Sequence, residues 1–209
     1  MLVGGWVELV VGDEGAVLAK QRGELTYNVS LTDQPSTTTH QHMSTSINQH
    51  INQITTFIFD VDGVLTDGTL LAFNSGEQAR AFHIRDGYAI RLALRQGYRV
   101  AVISGREEEG VRKRLLSLDV QDIFLGVDNK EEVFDAYLQA HDLDPAHIAY
   151  MGDDMPDLAV MRRCALPACP ADAAADVRAI SRFVAALPGG HGAARELLEA
   201  VLKAQNTWR

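Results

Sequence analysis

The stretch Phe57–Gly68 places the strongest constraint on what this chain can fold into. It reads FIFDVDGVLTDG, so an apolar run ends abruptly in two carboxylates and a glycine. A short apolar run bounded by turn residues is typical of a buried strand in a parallel sheet. Ligands of open α/β sheets bind where such strands end, which places Asp60 and Asp62 at a candidate site.

Asp60 and Asp62 are like charges at one strand end, and they repel each other unless a cation separates them. Mg²⁺ suits this position, because it takes a few carboxylates and keeps water or phosphate oxygens in the rest of its shell. The competing interpretation is a strand followed by an ordinary acidic turn. The pair therefore predicts a Mg²⁺ site that later residues must complete.

The pattern from Asp60 to Asp67, Asp-x-Asp-Gly-x-x-Thr-Asp, resembles motif I of the haloacid dehalogenase superfamily of phosphotransferases. From Ile54 onward, strand-like runs alternate with helical patterns. This alternation predicts an α/β fold, a Rossmann-like parallel sheet with helices on both faces.

A β-hairpin is predicted after the first strand, where Thr69–Phe73 and Gln78–Ile84 flank a turn. The next helix is predicted to run to Arg95 with Asp86 as its N-cap. Only the hairpin separates motif I from this helix, so we expect a capless haloacid dehalogenase type of fold.

Polar residues follow the later strands of the predicted sheet. Ser104 comes after one apolar run, Lys130 begins a predicted helix, and another run ends in three acids, Asp153, Asp154 and Asp157. The carboxyl ends of parallel strands meet at one edge of a sheet. We therefore expect these side chains to share a site with Asp60 and Asp62, in an order that resembles motifs I to IV of the superfamily.

Each residue type has a task in phosphoryl transfer, where catalysis is mostly positioning and charge neutralisation. Asp60 would attack phosphorus and form an aspartyl-phosphate, because a carboxylate is a competent nucleophile. Asp62 would protonate the leaving oxygen and later deprotonate the hydrolytic water. Ser104, before a helix N-terminus, and Lys130 would bind the transferring phosphate.

The expected Mg²⁺ ligands are Asp60, the backbone carbonyl of Asp62, and Asp153. Asp154 and Asp157 would orient metal-bound water or Lys130 rather than bind the metal.

A closer resemblance is to one family, the 3-deoxy-D-manno-octulosonate 8-phosphate phosphatases. It is carried by the segments 60–68, 82–88, 104–106, 129–130, 150–154 and 189–193. The resemblance implies a Mg²⁺-dependent phosphatase that releases phosphate from this sugar acid phosphate in lipopolysaccharide precursor synthesis. It also implies a homotetramer built by the hairpin, in which a neighbouring subunit helps to close each site.

The resemblance also assigns the substrate contacts, with Asp62 and Lys130 near the phosphate. The family's sugar-acid contacts fall on His83, Ile84, Arg85, Asp86, Gly87, Arg91, Arg106 and Arg114. Arginine forks suit a substrate that carries both a carboxylate and a phosphate. For Arg91, an exposed basic helix face is the alternative interpretation.

The net charge and the lengths of the apolar runs limit the partners and the cellular location that we expect for this chain. The formal net charge of −9 argues against nucleic acid as a partner. No apolar run approaches the length of a membrane span, and no basic, apolar leader opens the chain. We expect a cytoplasmic protein with no membrane partner and a small-molecule substrate.

Residues 1–52 differ from the rest and are predicted to be an N-terminal extension, with the phosphatase domain at 53–209. Two strand-like runs, Trp6–Val11 and Ala16–Ala19, precede a polar tract that ends near Asn52. Such a tract cannot bury enough apolar surface to fold alone, so a linker or a disordered arm is predicted. Met43 is a candidate translational start, which would leave the preceding residues untranslated.

Two other functions are left open by the sequence. One keeps the chemistry and changes the sugar, to the 9-phosphate of a nonulosonate such as sialic acid or its deaminated analogue. The other is a catalytically idle oligomerisation module of the same fold, against which the intact pair of Asp60 and Asp62 argues.

Overall fold

The computed structural model describes the backbone of two short N-terminal strands and residues 50–209. The strands β1 (Glu8–Val11) and β2 (Val17–Lys20) pair antiparallel. They overlap the two runs that the sequence predicts as strand-like, Trp6–Val11 and Ala16–Ala19. Met43 and the polar tract before residue 50 lie outside the described residues. The chain divides into two units, and the second, His42–Arg209, carries every predicted site residue.

A six-stranded parallel sheet forms the framework of the second unit. Its strands are β3 (Thr56–Phe59), β6 (Arg99–Ile103), β7 (Asp122–Phe124), β8 (Ile148–Met151), β9 (Leu166–Cys169) and β10 (Phe183–Val184). They are arranged in the order β10-β9-β8-β3-β6-β7, and all neighbours are parallel. The strand that ends in motif I therefore lies in the middle of the sheet, between β6 and β8.

Helices cover both faces of this sheet, as predicted. They are α1 (Ile84–Arg95), α2 (Glu109–Leu116), α3 (Lys130–His141), α4 (Leu158–Met161), α5 (Ala175–Ile180) and α6 (Ala193–Ala204). Side chains alternate between faces along a strand, so Phe57 and Phe59 enter the core under α1 and α6. Ile58 enters the opposite core, under α3 and α4. The predicted α/β class is confirmed.

The hairpin is shorter than the sequence pattern predicts. Antiparallel pairing joins only β4 (Leu71–Ala72) to β5 (Gln78–Ala79). The turn between them is closed by a 3.0 Å hydrogen bond from the amide of Phe73 to the carbonyl of Glu77. Leu71 is 58% exposed and Phe73 53% exposed, so the tip presents apolar surface to solvent.

Among the described residues, no helix combines the length and the apolar character that a membrane crossing needs.

The predicted start of α1 is wrong by three residues, and the role of Asp86 differs accordingly. The helix begins at Ile84 with His83 at its N-cap, and Asp86 lies within the first turn, where it is buried. One oxygen of Asp86 accepts a 2.7 Å hydrogen bond from the amide of Arg195, at the start of α6. The N-cap of α6 is Gly192, which has no side chain that could accept hydrogen bonds from the free amides of the first turn. The carboxylate of Asp86 on α1 accepts one of these hydrogen bonds instead.

Burial of Asp86 has an electrostatic consequence. It raises the pKa of the carboxyl, and the hydrogen bond from Arg195 opposes this rise. Asp86 thus links the two helices that pack on the same face of the sheet.

Replacing Asp86 by Ala should destabilise the fold, because an amide at the start of α6 loses its acceptor. The expected loss is about 0.5–2 kcal/mol of unfolding free energy, the range for a lost N-cap. Asp176→Ala, at an exposed acidic residue in the first turn of α5, is the matched control and should change stability much less. Denaturant unfolding of both variants measures the difference. Equal stability of the two variants would contradict this role.

Candidate active site

Asp60 lies directly after β3 and forms the centre of the site. Its amide donates a 3.0 Å hydrogen bond to the carbonyl of Met151, which ties it to the end of β8. The ammonium of Lys130 lies 3.0 Å from Asp60 Oδ1 and 2.7 Å from Asp157 Oδ1. All three side chains are buried, so one lysine charge bridges two carboxylates away from bulk water.

Three carboxylates converge at this point, and they could hold a metal ion. Oxygens of Asp60, Asp153 and Asp157 lie within 4.8 Å of one another. Burial raises the pKa of Asp60 to about 6, with the charge of Lys130 opposing and that of Asp157 adding to the rise. Burial and the charges of Asp60 and Asp157 raise the pKa of Asp153 to about 7. A divalent cation would relieve this repulsion, and an all-carboxylate donor set fits Mg²⁺.

Two glycines make room for these carboxylates. Gly63 has a φ of +82°, and a Cβ added there would lie 2.0 Å from Asp153 Oδ2. A Cβ on Gly152 would lie 2.4 Å from the carboxylate carbon of Asp157. Any side chain at either position would displace an acid of the cluster, which explains physically why a glycine stands in each motif.

Asp157 is held by several donors besides Lys130. The hydroxyl of Tyr150 donates a 2.7 Å hydrogen bond to Oδ1, and the amide of Asp153 donates one of 3.2 Å to Oδ2. These contacts suit the predicted role of orienting Lys130. Tyr150 was not predicted as a site residue, although a tyrosine in a buried strand needs a partner for its hydroxyl and could have been found on that ground.

The side chain of Asp62 lies in an ion pair outside the carboxylate cluster. Arg80 Nε lies 2.5 Å from Asp62 Oδ1, and the Arg106 Nε lies 3.8 Å from Asp62 Oδ2. Arg80 was also missed from the sequence, where it is a basic residue inside the predicted hairpin strand Gln78–Ile84. The expected metal contact of Asp62 involves its backbone carbonyl and is independent of this pairing.

A cavity of about 600 Å³ opens at this edge of the sheet. Its walls include eight of the predicted residues: Asp60, Asp62, Ser104, Arg106, Lys130, Asp153, Asp154 and Asp157. Ser104 is buried at the end of β6, and its amide donates to the carbonyl of Phe124. The structure thus brings the residues of all four motifs into one cavity.

The other predicted substrate residues lie elsewhere in the single chain. His83 and Arg85 line a separate cavity of about 580 Å³ beside α6. Arg91 pairs with Asp119, with 3.2 Å between Nε and Oδ2. Arg114 lines a third cavity of about 330 Å³.

The remaining members of this group are on α1, where Ile84 is 81% exposed and Asp86 is buried against α6. Gly87 faces Arg114, whose Nη2 would lie 2.8 Å from a Cβ at this position.

Curated relatives of this chain are phosphatases. The 3-deoxy-D-manno-octulosonate 8-phosphate phosphatase KdsC of Salmonella typhi is 37% identical over 163 residues, covering 78% of this chain and 87% of that protein. The protein of the same name from Escherichia coli K12 is 39% identical over 148 residues, covering 71% and 79%. No protein-family model matches the chain.

Solved structures agree with these relatives. The 3-deoxy-D-manno-octulosonate 8-phosphate phosphatase of Moraxella catarrhalis, solved with a magnesium ion, a phosphate ion and a KDO molecule, has a TM-score of 0.76 at 33% identity, covering 78% of this chain and 93% of that one. The cobalt-bound enzyme of Haemophilus influenzae has a TM-score of 0.73 at 36% identity, covering 76% and 92%.

The central parallel sheet, with a carboxylate directly after its middle strand and a lysine and further acids around it, defines a haloacid dehalogenase superfamily hydrolase. A structure of that superfamily from Legionella pneumophila superimposes with a TM-score of 0.79 at 29% identity, covering 81% of this chain and 93% of that one. The curated relatives narrow the class further. The chain belongs to the family of 3-deoxy-D-manno-octulosonate 8-phosphate phosphatases, which are phosphoric monoester hydrolases. The resemblance drawn from the motifs is confirmed.

Gly63→Ala should weaken Mg²⁺ binding by roughly tenfold or more, because the new methyl displaces Asp153. Gly76→Ala is the matched control, since Gly76 has a similar φ of +87° but no atom within 4 Å of an added Cβ. The control separates backbone strain from displacement of the carboxylate. Calorimetric titration of each variant with Mg²⁺ measures the affinity, and equal affinities would refute the steric argument.

Proposed function

We propose that this chain is a Mg²⁺-dependent phosphatase that hydrolyses 3-deoxy-D-manno-octulosonate 8-phosphate to the free sugar acid and phosphate. The observation that carries the proposal is Lys130, held between Asp60 and Asp157 beside the carboxylate cluster. A nucleophilic aspartate needs a cation nearby that binds the phosphate and a metal site that shares its carboxylate. The names of the relatives support the substrate.

Bound Mg²⁺, held by Asp60, Asp153 and the backbone carbonyl of Asp62, would neutralise charge on the phosphate. Asp157 completes the acidic cluster and fixes Lys130 through the contact of 2.7 Å. Asp154, which lines the same cavity, would orient water at its mouth.

Asp60 attacks phosphorus, so a bond forms between its carboxylate oxygen and phosphorus while the bond to the sugar oxygen breaks. Lys130 and Ser104 bind the phosphate oxygens during this transfer. Asp62 gives its proton to the departing sugar oxygen. It then takes a proton from the water that attacks the aspartyl-phosphate, which releases phosphate and restores Asp60.

Substrate selectivity is proposed to come from a homotetramer. Within one chain, several of the predicted substrate-binding residues do not line the cavity that contains Asp60. Ile84 is 81% exposed at the start of α1, and Leu71 and Phe73 are exposed on the hairpin. A contact between subunits would cover these apolar side chains. In this tetramer the hairpin of a neighbouring copy would close the mouth of the cavity.

Residues 1–42 are proposed to be dispensable for catalysis, since every predicted site residue lies in 53–209. The reaction is proposed to serve lipopolysaccharide precursor synthesis in the cytoplasm. Both proposals follow from the family resemblance and from the position of the motifs.

A phosphate-release panel tests the proposed substrate. We expect the highest kcat/KM for 3-deoxy-D-manno-octulosonate 8-phosphate, a lower one for nonulosonate 9-phosphates, and the lowest for 4-nitrophenyl phosphate. Preference for a nonulosonate 9-phosphate would identify the rival substrate, and absence of turnover would identify an idle module.

Arg106→Ala refines this test, because Arg106 lines the cavity and is expected to bind the sugar acid rather than the phosphate. The kcat/KM of the variant should fall by roughly tenfold or more on the sugar acid phosphate, because that factor corresponds to the free energy of one charge-assisted hydrogen bond. The loss on 4-nitrophenyl phosphate should be much smaller. Arg112→Ala, whose guanidinium pairs with Glu107 on the surface, is the control and should match the wild type. Equal losses on both substrates would contradict the assignment of Arg106.

A further inference from the structure

Arg80 is a buried arginine that joins the end of the hairpin to the active site. Its side chain is 3% exposed and lies between Asp62 and Glu108. Nε is 2.5 Å from Asp62 Oδ1, and Nη2 is 3.3 Å from Asp62 Oδ2. Nη1 lies 2.5 Å from Glu108 Oε2 at the start of α2. Both ends of the guanidinium are therefore anchored.

The contact with Asp62 has the two-pronged geometry of an arginine fork on a carboxylate. Such a fork fixes the rotation of the carboxylate plane as well as its position. Glu108 prevents the guanidinium from rotating with it. Loss of Arg80 would leave Asp62 free to turn about its own side-chain bonds, although its backbone would still be held after β3.

The two oxygens of Asp62 are not equivalent. Oδ1 makes the short contact to Arg80, while Oδ2 lies 3.3 Å from Arg80 and 3.8 Å from Arg106, which lines the cavity. Oδ2 is thus the less tightly held oxygen and the one on the side of the cavity arginine.

We propose that Arg80 is a positioning residue for Asp62, which anchors Oδ1 and leaves Oδ2 to carry the proton to the leaving oxygen, with Glu108 holding Arg80 in place. This proposal rests on the proposed function. When the phosphorus–oxygen bond to the sugar breaks, the electron pair goes to the sugar oxygen and the proton of Asp62 joins it there. A misdirected Asp62 slows that step and leaves substrate binding intact.

The leaving group provides the test. A sugar alkoxide is strongly basic and needs the proton as it departs, whereas 4-nitrophenolate is a weak base and departs with little help. Arg80→Met should lower kcat/KM for the sugar acid phosphate by about 10²-fold, the lower end of general acid catalysis, and lower kcat/KM for 4-nitrophenyl phosphate far less. The ratio kcat/KM is used because it includes only the steps up to departure of the leaving group, whereas kcat also includes hydrolysis of the aspartyl-phosphate, which is common to both substrates. The Kd of the sugar acid phosphate, measured in the non-reacting Asp60→Asn background, should change by no more than about threefold when Arg80→Met is added, because positioning acts in the transition state.

Glu108→Gln should show the same substrate-dependent loss in weaker form, and it keeps the test valid if Arg80→Met fails to fold. Glu107→Gln is the matched control on the neighbouring position, since Glu107 pairs with Arg112 at the surface. It should match the wild type on both substrates.

Combining Arg80→Met with Asp62→Asn should cost no more than Asp62→Asn alone, because the two residues act as a unit. Equal losses of kcat/KM on both substrates, an effect confined to the Kd of the substrate, or additive losses in the double variant would each overturn the proposal. A wild type that hydrolyses another alkyl phosphate and not the sugar acid phosphate would refute the proposed substrate alone. The comparison of leaving groups would then be made with that alkyl phosphate.

Discussion

The bridge from Asp60 through Lys130 to Asp157 is the interaction on which the rest of the site depends. Burial alone would lower the pKa of Lys130, but the pKa is raised because both carboxylates stabilise the ammonium charge. The lysine in turn permits two acids to lie buried near a third, Asp153. Removing Lys130 would leave two buried carboxylates without a compensating charge, which is costly. The same arrangement places a cation beside the proposed nucleophile.

The parallel sheet supplies this arrangement because it brings distant segments to one edge. Asp60 follows the middle strand, Asp153 and Asp157 follow its neighbour β8, and Lys130 begins the helix after β7. Glycines at 63 and 152 allow the acids to approach closely. Arg80 directly follows the second strand of the hairpin and contacts Asp62, the proposed proton donor. The hairpin is also the element that is proposed to assemble the tetramer.

Local sequence patterns predicted the sheet, the helices on both faces and the residues of the central cavity. These features could be predicted because each strand, helix and motif is formed by residues that are contiguous in the sequence. Contacts between segments were not predictable in this way: Arg80 and Tyr150 were missed, and Asp86 was assigned to the start of α1. Asp86 is a good N-cap residue by type, but it serves a helix that begins more than a hundred residues later, and only the packing of α1 on α6 decides this.

Trapping of the covalent intermediate tests the central claim most directly. The Asp62→Asn variant is mixed with 4-nitrophenyl phosphate and Mg²⁺, quenched in acid, digested and analysed by mass spectrometry. Departure of 4-nitrophenolate needs little acid help, whereas hydrolysis of the aspartyl-phosphate needs Asp62 as base, so the intermediate should accumulate. We predict phosphate on the peptide that carries Asp60, and none when Asp60 is also replaced by Asn. Phosphate on another residue, or turnover that persists in Asp60→Asn, would contradict the account.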